Sequence, residues 1–218
     1  MFGITAFVIF RPRPETNSSA AANEFILPTP ASYPAVQGNA IGDPNAPVVI
    51  EEFSDFQCPY CRQFASATKP AIVEDYVATG KVYFVYRTLG DWLGPESQLA
   101  AEAAYCAGDQ NRFWDYHDAL FFNQGQVNFS ADNLLALANA LDLDMNEFRA
   151  CVTNYKYRDQ VQKDLKDGLG AGVRGTPSFL INGRFIAGIQ PYQVFQREIE
   201  TALARVGGSQ GDTFSGSE

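Results

Sequence analysis

Residues 48–64 read VVIEEFSDFQCPYCRQF, and the order of residue types in this stretch decides how the chain is organised. Val48–Phe56 is dense in β-branched and aromatic residues and is preceded by Asn45 and Pro47, so it predicts a buried strand. Cys58 then stands where a helix opens, with Pro59 in the first turn, where a missing N–H is harmless. Phe64, Ala65, Thr68, Ile72 and Tyr76 keep helical spacing as far as Gly80, with a kink expected at Pro70. Two cysteines three apart at such a junction could hold a metal, form a staple or carry redox chemistry. A structural zinc site needs four ligands, and the chain has no second C-x-x-C and a single histidine, His117. A staple at this spacing closes a very small loop and stabilises little. The redox reading has a mechanism. The unpaired N–H groups and the dipole of the helix favour a thiolate at Cys58, and a thiolate is the species that attacks a disulfide. Cys61, one turn inward, is placed to resolve the mixed disulfide.

The whole chain suits this chemistry. Its 218 residues, 46% hydrophobic and 19% charged, fit one domain or one domain carrying an insertion. A net charge of −9 excludes nucleic acid or an anionic lipid surface as the main partner, since both need a basic face. The four cysteines, Cys58, Cys61, Cys106 and Cys151, allow three pairings. One tight pair and two distant single cysteines favour Cys58–Cys61 and Cys106–Cys151, and two disulfides place a protein outside the reducing cytosol. At the N-terminus MFGITAFVIF is apolar, yet its ten residues fall short of the roughly 20 that span a bilayer. It has neither a basic n-region nor a clear small-residue cleavage site, and RPRP follows it. Residues 1–40 are read as the end of a membrane-targeting segment followed by a disordered linker; the alternative is a cytosolic protein with a greasy, disordered start.

The folded part is expected from GDPNAPVVIEEF onward, with a second strand at Lys81–Leu89. Helices follow around Leu99, Ala103 and Cys106, ending at Gly108, and around Phe113, Trp114, His117, Leu120 and Phe121. Another is capped by Ser130, and Asp144 with Glu147 resembles a capping box. A polar helix covers about 155–168. Ser178–Ile181 and Arg184–Ile186 flank Asn182-Gly183, a strong hairpin signal, before a final helix from Pro191 and a disordered tail at 207–218. This order describes an α/β sheet covered by helices, built from residues 41–90 and 171–206 and interrupted by a helical insertion at 91–170.

With these residues in view the chain resembles the thioredoxin superfamily, and within it the DsbA-like thiol–disulfide oxidoreductases of bacterial envelopes. VVIEEFSDFQCPYCRQF resembles their redox motif, RGTPSFLINGR (174–184) their cis-proline loop, and AAEAAYCAGDQNRFWDYHDALF (100–121) their inserted helices. Glutaredoxins share C-P-Y-C but lack so long an insertion. The resemblance spans about residues 41–206 and implies a thioredoxin fold, a central mixed sheet flanked by helices, with an inserted helical domain. It implies Cys58 as the attacking and Cys61 as the resolving cysteine, with Pro59 and Tyr60 tuning the redox poise. Tyr60 stands where the best-known oxidases carry histidine. Glu52 matches an acidic residue that relays the proton of Cys61, although Glu51 could fill the buried position and Glu52 could face water. Pro177 matches the cis-proline, and Thr176 before it tunes substrate release. Cys106 and Cys151 match a second bridge found in some members; closing a loop of about 45 residues stabilises by roughly 4 kcal/mol.

The implied activity is exchange of a Cys58–Cys61 disulfide with cysteines of exported proteins, as a donor, by an extracytoplasmic monomer, with the N-terminus as the candidate membrane anchor. A membrane quinone-linked thiol oxidase of DsbB or VKOR type would recycle it, and no cofactor is required. A reductase or isomerase on the same fold is the first alternative. A redox-inactive peptide-binding module is a second, opposed by the intact C-x-x-C. His117 is expected to be packed and hydrogen-bonded, Trp92 and Trp114 to be core or groove wall, and Phe121 and Phe122 to pack, with lining of an apolar substrate groove by one of them as the alternative.

Overall fold

The computed structural model describes residues 25–211, with side chains described to residue 208. Its elements are β1 (Ala40–Ile41), β2 (Val48–Ser54), α1 (Pro59–Ala67), α2 (Lys69–Ile72), β3 (Val82–Thr88), α3 (Pro95–Gly108), α4 (Phe113–Asn123), α5 (Ala131–Ala140), α6 (Met145–Thr153), α7 (Arg158–Gly170), β4 (Ser178–Ile181), β5 (Arg184–Ala187) and α8 (Tyr192–Gly211). The sheet runs β1-β3-β2-β4-β5, with β2 and β3 parallel and the other pairs antiparallel. This is the thioredoxin fold, and α3–α7 are the helices inserted between β3 and β4.

β2 is hydrogen-bonded on both edges: Glu52 lies opposite Tyr86 of β3 and Phe179 of β4. Side chains alternate across a strand, so Val48, Ile50, Glu52 and Ser54 share one face and Glu51 and Phe53 the other. The first face enters the main core with α1, α4 and α8; Phe53 meets Leu89 and Val173 on the second. Phe64 of α1 is fully buried, with its ring 4.5 Å from Phe179, 5.4 Å from Phe195 and 6.5 Å from Phe84. One side chain thus joins α1 to β3, β4 and α8. The inserted helices share this core through Phe56–Phe121 and Tyr86–Phe113, and Cys106–Cys151 bridges α3 to α6 with 5.8 Å between Cα atoms.

Several boundaries differ from the sequence expectation, each for a local reason. β2 stops at Ser54 rather than Phe56, because Asp55 turns the chain and its carboxylate accepts from the Gln57 N–H at 2.7 Å. The expected single helix to Gly80 breaks at Thr68, since Pro70 has no N–H to return to the carbonyl four residues back. It continues as α2 and a π-helical turn, Val73–Val77, closed by Ala78 N–H to Val73 O at 2.8 Å. The capping box at α6 is half made. Asp144 caps Asn146 and Glu147, but its own N–H donates to Gln110 Oε1 at 2.7 Å instead of to Glu147. α7 runs over 158–170, later than 155–168, because Tyr155 at φ 51° turns the chain after α6.

Part of the expected linker is structured. Residues 25–40 run along the fold: Ile26 exchanges backbone hydrogen bonds with the Asn123 side chain, the Tyr33 ring lies 5.1 Å from Trp114, and β1 pairs with β3. Residues 1–24, which hold the apolar segment, lie outside the described part. The tail expected from residue 207 is helical to Gly211, and the rest of it lies outside the described residues.

Replacing Phe64 by Ala should lower stability by about 3–5 kcal/mol, because it empties a site shared by four elements. Urea unfolding of the full chain measures this; a loss below about 1 kcal/mol would show that α1 is held elsewhere.

Candidate active site

Cys58 is the N-cap of α1, in an extended conformation, with its sulfur facing the first-turn N–H groups of Tyr60 and Cys61. Its Sγ lies 3.4 Å from the Thr176 carbonyl oxygen, across a gap of 118 residues in sequence. Thr176–Pro177 is cis, and the Pro177 carbonyl accepts from Gly188 N–H at 2.9 Å, tying this loop to the end of β5. Cys58 is 4% exposed and Cys61 fully buried; both are free thiols in this structure. Pro59 and Tyr60 face outward, Tyr60 by 59%.

The two thiols are driven apart electrostatically. A hydrogen bond from Cys61 lowers the pKa of Cys58 to about 6; the Thr176 side chain and the N–H groups of Cys61 and Tyr60 add to this against the opposing effect of burial. Burial, then Cys58 itself and Glu52, push Cys61 well above an ordinary thiol. Glu52 lies behind the pair with no exposed surface, and neither carboxylate oxygen has a hydrogen-bond partner among the described residues. Burial raises it to about 7, with Lys69 and Ser54 pulling down and Cys58 pulling up. Ser54 Oγ and Tyr86 OH are likewise buried without partners there. Glu51, on the opposite face, is half-buried and paired with Arg87 at 2.9 Å.

Lys69, a residue the sequence reading passed over, is 1% exposed, and its ammonium is shared by Asp118 Oδ1 at 2.9 Å and Tyr33 OH at 2.7 Å. Tyr33 OH donates to Asp118 Oδ2 at 2.7 Å. His117 is fully buried beside them, its Nδ1 2.8 Å from Asp118 and its Nε2 without a partner among the described residues. Burial and Lys69 lower its pKa to about 4, so it is neutral at pH 7. The cluster joins α2, α4 and the segment before β1, three places with no shared sequence signal. Phe121 is buried and Phe122 is 45% exposed; both line a cavity of about 310 Å³ beside Arg62. Trp114 is core, whereas Trp92 is 40% exposed.

A sequence profile of the thioredoxin family matches residues 35–201. The chain is 31% identical over 208 residues to a Na(+)/H(+) antiporter NhaA 1 of Salinispora arenicola, covering 92% of this chain and 31% of that protein. It thus spans about a third of the length of this relative and of the related antiporter of Salinispora tropica. Disulfide bond formation protein D of Bacillus subtilis is 27% identical over 180 residues, 79% of this chain and 81% of that one. The crystal structure of oxidised BdbD from Bacillus subtilis matches with a TM-score of 0.70 at 27% identity, over 79% of this chain and 96% of that one. Wolbachia pipientis α-DsbA1, at 22% identity and a TM-score of 0.69, covers 87% of this chain and 100% of that one, and speaks for the fold. The chain belongs to the thioredoxin family.

Proposed function

We propose that this chain exchanges a Cys58–Cys61 disulfide with cysteines of exported proteins, in the donating direction. The observation that carries this reading is the inequality of the two thiols: Cys58 is low at about 6 and Cys61 is high. A substrate thiolate attacks Cys58 Sγ, a substrate–Cys58 bond forms, and the Cys58–Cys61 bond breaks with its electron pair on Cys61. Cys61 is the poorer thiolate and takes a proton, which Glu52 can supply near neutral pH. The substrate's second thiolate then attacks its own sulfur in the mixed disulfide and expels Cys58 as the stabilised thiolate. The substrate dithiol is oxidised by two electrons and the protein disulfide reduced. Stabilising the released thiolate favours donation.

The division into a thioredoxin part (41–90 and 171–206) and an insertion (91–170) belongs to this reading. So do an extracytoplasmic location, a monomeric state and recycling by a membrane quinone-linked thiol oxidase of DsbB or VKOR type. Pro59, Tyr60 and Thr176 border the reacting sulfur and are assigned to tuning, Pro177 to holding the substrate chain, and the Cys106–Cys151 bridge to structure. Ion transport is not carried over, because the antiporter match covers 31% of that relative. The rival is a reductase, favoured by Tyr60, which brings no positive charge to the thiolate.

The reduction potential of Cys58–Cys61 in glutathione buffers decides between them, with Cys106 and Cys151 followed separately by mass mapping. A potential near about −120 mV supports a donor; one near about −270 mV makes the protein a reductase. Cys58→Ser should abolish transfer in either direction, and survival of transfer would remove Cys58 from its role.

Glu52 supplies a second test. Its pKa is raised in the folded chain, so its contribution to stability is full below the ordinary carboxylate value, about 4.5, and is lost as pH rises through about 7. Glu52→Gln should therefore gain stability relative to the parent between about pH 5 and pH 8, on the order of 3 kcal/mol. Re-oxidation of the dithiol should also slow several-fold and lose its inflection near pH 7. Unchanged pH profiles for both would place the relay elsewhere.

A further inference from the structure

We propose that Gln124 is a positioning residue of the redox site: its side-chain amide, delivered by the helical insertion, fixes the Asp55–Cys58 turn and so sets the oxidising power of the Cys58–Cys61 pair. The proposal rests on Cys58 being the reacting thiol.

Gln124 is the C-cap of α4, 7% exposed, with its backbone N–H given to Phe121 O at 3.3 Å. Its amide nitrogen donates both protons across the domain, to the carbonyl of Phe56 at 2.7 Å and to that of Cys58 at 3.0 Å. Its backbone carbonyl accepts from Arg62 Nη1 at 3.0 Å, one residue beyond Cys61. One residue of the insertion thus touches the turn before the first cysteine, the first cysteine itself and the helix behind the second.

The turn needs this partner. Cys58 N–H is taken by Asp55 O at 3.0 Å, and the Asp55 carboxylate holds Gln57 N–H and Ser97 Oγ, each at 2.7 Å. Cys58 O also accepts the first helical bond, from Arg62 N–H at 3.2 Å. Phe56 is 1% exposed, and Gln124 supplies a donor to its carbonyl. A buried carbonyl left unpaired is costly, so without the amide the peptide would rotate to find a donor. Rotation there moves Cys58, which must keep its sulfur over the N–H groups of Tyr60 and Cys61 to remain a good thiolate. The amide protons also offset two carbonyl dipoles close to the sulfur. The other polar or titratable groups facing Cys58 are Cys61 from α1, the Thr176 side chain and carbonyl from the cis-proline loop and Glu52 from β2, with Lys69 acting on Glu52. Gln124 is the contribution of the insertion to this set.

The test uses the full chain with Gln124→Leu, and Gln126→Ala as a control, since the exposed Gln126 side chain donates locally, to Phe122 O at the end of α4. Two readouts respond to positioning and not to stability alone: the pH titration of the Cys58 thiolate by ultraviolet absorbance, and the glutathione equilibrium. Gln124→Leu should raise the thiolate midpoint from about 6 and weaken the oxidant. The equilibrium constant should fall three- to tenfold, equivalent to about 14 to 30 mV. Gln126→Ala should leave both unchanged. A lower melting temperature with both readouts unmoved would overturn the proposal and leave Gln124 a mere joint. If Gln124→Leu does not fold, Gln124→Met keeps the length of the side chain, is neutral and has no donor, and the same two outcomes apply. A parent protein whose Cys58 titrates like an ordinary thiol would instead sink the proposed function.

Discussion

The first turn of α1 has backbone N–H groups that no carbonyl within the helix can accept, and Cys58 is held over them. The rest of the structure serves to keep that sulfur there. β2 is paired on both edges and cannot shift in register without moving its charged residues to the wrong face. The Asp55 turn converts the end of β2 into the start of α1, and Phe64 fastens α1 to the sheet and to α8. The loop of Thr176 and Pro177 closes the remaining side. A low thiol at Cys58 and a high one at Cys61 follow from this frame, because one sulfur meets hydrogen-bond donors at the helix end and the other is fully buried beneath it.

Buried charge behind the dithiol is distributed unevenly. Glu52 is left without hydrogen-bond partners and is raised toward neutrality, whereas Asp118 is pressed below the usual carboxylate range by Lys69 and His117 despite its own burial. The difference has a simple cause. Asp118 touches Lys69 directly and Glu52 only feels its field. A carboxyl close to neutrality can give or take a proton, while a strongly ionised one holds structure. Lys69 and Asp118 also anchor Tyr33, which explains why the proline-rich segment before β1 packs against the fold.

Much of this was legible in the residues. The dense apolar run before C-P-Y-C, the Asn182-Gly183 hairpin and the helix caps at Ser130 and Asp144 are local signals, and local hydrogen bonding or side-chain parity enforces them. Parity also separates Glu52 from Glu51, once β2 is known to be covered on the face shared with Val48 and Ile50. Where the reading slipped, a distant partner overrode a local preference. Gln110 took the N–H that Glu147 was expected to accept, and Asn123 and Trp114 ordered a segment whose composition suits a linker.

The chemistry of the pair, its place at a strand-to-helix junction and the presence of an inserted helical block are determined by the sequence alone, because each rests on residues adjacent in the chain or on their periodicity. The environment of the pair was decided by the tertiary structure. Thr176 comes from 118 residues downstream, Lys69 meets Tyr33 across 36 residues, and Gln124 reaches Cys58 across 66. Hydrogen bonds and low-dielectric electrostatics act through space over a few ångströms and take no account of separation along the chain. The residues that tune the sulfur therefore become visible only once the chain has brought them there.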